Sequence, residues 1–303
     1  MARSLHAAHL PAMTGPLDLP TPLVSTAWLA DHLGHPTLRV VDASSYLASA
    51  NRDARAEYAA RHIPGAVRAD IDWLSDESSP LPHTFPSAAQ FAERVGALGI
   101  GNESAVVVYD GSGQNFSAPR FWFMLRAFGH ARVAVLDGGL VKWMAEGRPV
   151  TAAATPIVPA VFRATLDATR LRDLAQVRAN LDTGQEQVVD ARSPGRFAAH
   201  EPEPRPGVRG GHIPGSRNLH YARLVHADGT LRSADELRAL VVEAGLDPAR
   251  PIVCSCGSGL TACAIVLALE VAGAPGAAVY DGSWTEWGSR ADTPVETGAA
   301  RTP

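Results

Sequence analysis

Seven residues, Cys256-Gly257-Ser258-Gly259-Leu260-Thr261-Ala262, follow the apolar run Pro251-Ile252-Val253 and precede Cys263-Ala264-Ile265-Val266-Leu267-Ala268-Leu269. This pattern reads as a buried strand that hands a cysteine to a glycine loop, which in turn opens an apolar helix. Backbone N–H groups and the positive end of the helix then converge on one sulfur. A cradle of that kind stabilises anions, and cysteine acts as a nucleophile in its anionic form, so Cys256 is the candidate catalytic atom. A cysteine that merely packs in a core would not require Gly257 and Gly259 beside it.

Charges and cysteines limit the chemistry further. The chain has 303 residues, 46% of them hydrophobic, and a net charge of −4, enough for two domains with apolar interiors. A mildly acidic chain without charge blocks is a poor partner for nucleic acid or an anionic membrane surface, so neither is expected. The first twenty residues lack a continuous apolar segment, and no apolar run approaches the ~18 residues of a membrane span. A cytoplasmic address is expected. Cys254, Cys256 and Cys263 crowd into ten residues, a poor disulfide framework that suits a reduced compartment with one working thiol. Without a CxxC pair or an HExxH motif, no metal site is expected.

Stepping outward from the loop, the chain is written twice. Ser87-Ala88-Ala89-Gln90 and Ser233-Ala234-Asp235-Glu236 both read as helix capping boxes, 146 residues apart. The same offset carries Val107-Val108-Tyr109-Asp110-Gly111-Ser112-Gly113 onto Val253-Cys254-Ser255-Cys256-Gly257-Ser258-Gly259. With small shifts, His62-Ile63-Pro64-Gly65 matches His212-Ile213-Pro214-Gly215, and Leu136-Asp137-Gly138-Gly139 matches Tyr280-Asp281-Gly282-Ser283. Val- and Ile-rich runs alternate with helical stripes such as Leu171, Leu174, Val177, Leu181 and Leu237, Leu240, Val241, Ala244. This predicts an α/β fold of two tandem domains, each a mostly parallel sheet flanked by helices. The expected boundaries are 22–150 and 163–299, joined by a small, proline-punctuated linker at 151–162. Residues before Pro22 and after Val295 read as loose ends. Where the second copy has Cys256 the first has Asp110, so only the second domain is expected to carry the nucleophile. The first then lends side chains to a cleft between the domains.

Two HIPG turns, the Asp-Gly elements followed by tryptophan, and a Cys-Gly-Ser-Gly-x-Thr loop make this chain resemble the two-domain sulfurtransferases of the rhodanese superfamily. The similarity runs from about Pro22 to about Val295. It implies attack of Cys256 on a small-molecule sulfur donor, a persulfide on Cys256, and transfer of the outer sulfur to cyanide, a small thiol or thioredoxin, with no organic cofactor. Gly257 and Ser258 are neutral, which suits the branch using the monoanion 3-mercaptopyruvate better than the branch using the thiosulfate dianion. The resemblance further implies that Arg196 and Arg205 clamp the donor carboxylate. Gly257, Gly259, Leu260 and Thr261 would cradle the transferred group, and Ser258, His83 and Asp72 would form a relay across the domain interface. His62, His212, Trp143, Trp284 and Trp287 are expected to be structural.

Rival readings fall away or survive on single positions. A cysteine phosphatase needs an arginine six residues after its nucleophile, where this chain has Ala262, and a nucleotide P-loop needs a Gly-Lys-Ser/Thr that is absent here. Two alternatives stay open: a thiosulfate:cyanide sulfurtransferase, and a non-catalytic module that binds thiols or persulfides.

Overall fold

The computed structural model describes residues 17–47, 50–274 and 276–300. Two five-stranded sheets account for all its named strands. The first contains β1 (Leu23–Val24), β2 (Leu38–Asp42), β3 (Ala66–Arg68), β4 (Ala105–Tyr109) and β5 (Val133–Leu136), in the order β1-β5-β4-β2-β3. The second contains β6 (Leu171–Arg172), β7 (Gln187–Asp190), β8 (Arg217–Asn218), β9 (Ile252–Ser255) and β10 (Ala278–Tyr280), in the order β6-β10-β9-β7-β8. Every neighbouring pair is parallel, with Val40 opposite Val107 in one sheet and Val189 opposite Cys254 in the other. The central strands are buried along their whole length, as continuous apolar runs covered by helices on both faces must be.

The duplication survives in detail. The helices Ala88–Ala97 and Ala234–Glu243 begin and end 146 residues apart, and each opens on a complete capping box. Leu171 departs from the helical stripe expected of it. It lies in edge strand β6, because the Asp173 side chain accepts from the Gln176 N–H and starts the helix at Leu174. The described residues that flank 22–295 are also tied down. Leu17 is buried in the first domain's outer apolar cluster and its carbonyl accepts from Arg132. Glu296 pairs with His212, and the Gly298 N–H donates to Ala198. The expectation for residues 1–16 lies outside the described residues.

The apolar interior is divided differently from the two separate cores the length suggested. The largest cluster runs from Val41 and Phe121 in the first half to Cys254 and Leu267 in the second, while a smaller cluster covers the outer face of each sheet. The helices Ala118–Ala127 and Ala262–Val271 cause this. Both are apolar nearly all round, and they pack on each other between the two sheets. No helix among the described residues is long and apolar enough to cross a membrane.

Candidate active site

Cys256 follows the last residue of β9, at the carboxyl end of the sheet where open parallel sheets place their ligands. It is 2% exposed and lines a cleft of about 400 Å³ between the domains. The loop after it is held from outside by its carbonyls. Trp284 N–H donates to the Cys256 carbonyl at 2.9 Å, and Thr285 donates to the Gly257 carbonyl through N–H at 2.9 Å and Oγ1 at 2.5 Å. Arg120 Nη1 reaches the Gly259 carbonyl at 3.3 Å. Among the described residues, the N–H groups of Gly257 to Thr261 donate to no protein acceptor, so donors collect at the start of an apolar helix where an anion can be held.

The first domain shows the same loop closed by its own carboxylate. Asp110 stands where Cys256 stands, and its Oδ2 accepts from the N–H groups of Ser117 and Ala118 at 2.9 Å each. Its Oδ1 takes the Ser112 N–H at 2.9 Å and the Ser112 hydroxyl at 2.5 Å.

Three residues distant in sequence meet across the domain interface. His83 Nδ1 lies 2.7 Å from Ser258 Oγ, and His83 Nε2 lies 3.1 Å from Asp72 Oδ1. The hydrogen bond from His83 holds the Asp72 carboxyl below the usual carboxylate range. His83 is largely buried, whereas the Asp72 side chain is 79% exposed, so the chain runs from solvent to the cleft floor. This geometry requires His83 to adopt φ +62°, a left-handed conformation unusual for a side-chain-bearing residue. Arg120 Nη2 fixes that turn by donating to the His83 carbonyl, and it also binds Asp281 Oδ1 at 3.1 Å.

Arg196, Arg205, Leu260 and Thr261 all line the cleft with Gly257 and Ser258. Gly259 does not. At φ +77° it turns the chain, with its carbonyl toward Arg120 and Cys263 at the domain interface. The two arginines also differ. Arg205 makes no hydrogen bond or ion pair among the described residues, whereas the Nε and Nη2 of Arg196 grip Glu203 at 3.2 and 2.6 Å. Phe116 of the first domain and Tyr221 of the second meet edge to face, 5.5 Å apart, in the cleft wall.

The sequence reading missed Arg120, Glu203, Asp281 and Tyr221. Arg120 had a signal, being a charge on an otherwise apolar helical face that proves fully buried. Asp281 lay in the repeated Asp-Gly element, and its Oδ2 accepts from the Phe85 N–H at 2.8 Å across the interface. Its counterpart Asp137 accepts from the Leu231 N–H at 2.7 Å in the opposite direction. His62 and His212 bond the carbonyls of Tyr58 and Phe197 and stack on those rings, away from the cleft. The indoles of Trp143, Trp284 and Trp287 are buried and donate to backbone carbonyls. Among the described residues no group of three or more His, Cys, Asp or Glu is arranged to hold a metal ion.

Residues 25–146 and 173–290 each match the model of the rhodanese-like domain. The 3-mercaptopyruvate sulfurtransferase of Rattus norvegicus is 46% identical over 274 residues, covering 89% of this chain and 92% of that protein. A thiosulfate sulfurtransferase of Cricetulus griseus is also 46% identical, over 281 residues, covering 91% and 94%. Among solved structures, the 3-mercaptopyruvate sulfotransferase SseA from Escherichia coli superposes with a TM-score of 0.80 at 37% identity, covering 88% of this chain and 99% of that one.

Proposed function

This chain belongs to the rhodanese-like family, and from that premise we propose that it is a 3-mercaptopyruvate sulfurtransferase with Cys256 as the sulfur carrier. Residues 163–299 form the catalytic unit and residues 22–150 the supporting one, joined through 151–162. Relatives named for either donor match at the same identity, so the choice rests on the cleft.

One observation carries it. The Ser258–His83–Asp72 chain ends on the cleft floor beside Cys256. When the Cys256 thiolate attacks the sulfur of 3-mercaptopyruvate, an S–S bond forms and the C–S bond breaks, leaving its electron pair on carbon as the enolate of pyruvate. That carbon needs a proton, which the relay is placed to deliver from solvent through Ser258. Sulfite, the group that leaves thiosulfate, departs as a stable anion and needs no such proton. Arg205, which makes no hydrogen bond or ion pair among the described residues, receives the donor carboxylate together with the remaining edge of Arg196. An acceptor thiolate then attacks the outer sulfur of the Cys256 persulfide, taking it and restoring the Cys256 thiolate. Because Cys256 lies at the bottom of the cleft, the acceptor is a small thiol or the protruding dithiol of a thioredoxin. A reducing, cytoplasmic compartment suits three unpaired cysteines.

The test compares kcat/KM for 3-mercaptopyruvate and thiosulfate with cyanide as acceptor, and locates the added sulfur after donor treatment by fragmenting the single tryptic peptide that carries all three cysteines. The expected results are a preference for 3-mercaptopyruvate, one added sulfur on Cys256 itself, and no transfer by Cys256→Ser. A wild type that prefers thiosulfate overturns the donor, and a sulfur found on Cys254 or Cys263 overturns the nucleophile.

A further inference from the structure

Three arginines line the donor cleft, but they do not present three charges to it. Arg192 is buried against Asp190, which it binds through Nε at 3.1 and 3.0 Å and through Nη2 at 2.5 Å. Its remaining nitrogen, Nη1, binds Glu203 Oε1 at 2.6 Å. The same Glu203 takes Arg196, through Nε on Oε1 at 3.2 Å and Nη2 on Oε2 at 2.6 Å. The Glu203 side chain is only 4% exposed, so it is a buried carboxylate held between two guanidinium groups. Of the carboxylates around these three arginines, Asp72 and Glu201 face water at the cleft rim, and Glu201 is occupied by the Ser193 hydroxyl at 2.7 Å. Only Asp190 and Glu203 oppose the arginines from within. Two buried negative charges against three positive ones leave Arg205 opposed only by the exposed carboxylate of Asp72, which water screens.

We propose that Glu203 determines donor charge: it positions Arg196 over the Cys256 loop and cancels its charge, so that the cleft offers one net positive charge and favours a monoanion over a dianion. The positioning follows from the geometry. Glu203 occupies the Nε/Nη2 edge of the fork, and Arg196 Nη2 comes within 3.1 Å of where a Cβ on Gly257 would stand. The charge effect follows from burial, since opposite charges a few ångströms apart and withdrawn from water are weakly screened. This rests on the reading of the cleft as the donor site.

The experiment reads binding, not turnover. In the Cys256→Ser protein, dissociation constants for pyruvate (a monoanion) and thiosulfate (a dianion) are measured by calorimetry with and without Glu203→Gln. The glutamine keeps the shape and removes the charge. Thiosulfate should gain about fivefold or more relative to pyruvate, whereas Glu203→Asp, which retains the charge, should leave the ratio within about twofold even if both anions bind more weakly. An unmoved ratio in Glu203→Gln, or an equal change in both variants, overturns the proposal. Should Glu203→Gln fail to unfold cooperatively, the intact Glu203 protein supplies the test through methanesulfonate and sulfate, which are close in shape and differ by one charge. Affinities within about threefold support a single uncompensated cation, and sulfate binding more than about tenfold tighter overturns it. If none of these anions binds, the donor-site reading falls and the proposal with it; binding with an unmoved ratio removes the proposal alone.

Discussion

At the scale of single residues, three cysteines of one short segment have been given different fates by their surroundings. Burial pushes the Cys263 thiol up to about 12, against an opposing pull from Arg120, and drives Cys254 well above the ordinary range. Both are therefore neutral thiols at physiological pH, sealed from solvent, while Cys256 opens on the cleft. Brief treatment with iodoacetamide at neutral pH should label Cys256 and leave the other two unmodified, as read by fragmenting the one tryptic peptide that carries all three; early label on Cys263 would contradict this. The same burial has a stability consequence. A thiol whose folded pKa is raised adds stability that is complete below its unfolded value of about 8.5 and is lost as pH climbs toward the folded value. Thermal stability should accordingly fall between about pH 9 and 12, and Cys263→Ala should flatten that fall. Cys256 was legible from the sequence because glycine, strand and helix signals all surround it. Glu203 was not, since a glutamate in Glu201-Pro202-Glu203-Pro204-Arg205 reads as solvated until its two arginine partners are seen.

At the scale of elements, the loop after Cys256 depends on two glycines for different reasons. Gly259 has φ +77°, and a Cβ there would stand 3.1 Å from the Asp281 carbonyl and 3.2 Å from Arg120. Gly257 carries no such backbone demand, but a Cβ on it would press on the Arg196 fork. Gly259→Ala should thus lower unfolding free energy by about 1–3 kcal/mol, whereas Gly257→Ala should leave it nearly unchanged and raise KM for the donor several-fold. Denaturant titration and steady-state kinetics separate the two, and equal stability losses would refute the distinction. The capping boxes, the parallel strands and the repeat offset could all be read in advance, because each is encoded by neighbours in sequence. The turn at His83 could not. Nothing local favours a left-handed histidine, and it persists because Arg120, far along the chain, holds its carbonyl.

At the scale of the whole molecule, the domains are joined less by their linker than by a shared interior and a buried cation. Arg120, with no exposed side-chain surface, ties the His83 turn of one domain to Gly259 and Asp281 of the other, and Arg126 adds an ion pair to Glu270 at 3.1 Å. Truncation by Arg120→Ala leaves the Asp281 carboxylate without its cation and should cost about 3–5 kcal/mol, the range for breaking a buried pair. It should also slow 3-mercaptopyruvate turnover by releasing the relay. An Arg120→Ala protein with wild-type melting temperature and activity would show that the domains are positioned by apolar packing alone. A cleft between the domains was legible in the sequence, but their shared interior was not, because both halves read as complete α/β units, each with an apolar helix whose second face had no obvious partner. The carboxylate of Asp110, bonded to the amides of its own loop, gives the molecule's history a mechanical reading. A duplicated pocket need not lose its shape to be retired; plugging it from within suffices. On the proposed reading of Cys256 as the sulfur carrier, the plugged half keeps a sound framework and serves as donor of His83 and Arg120 to its twin.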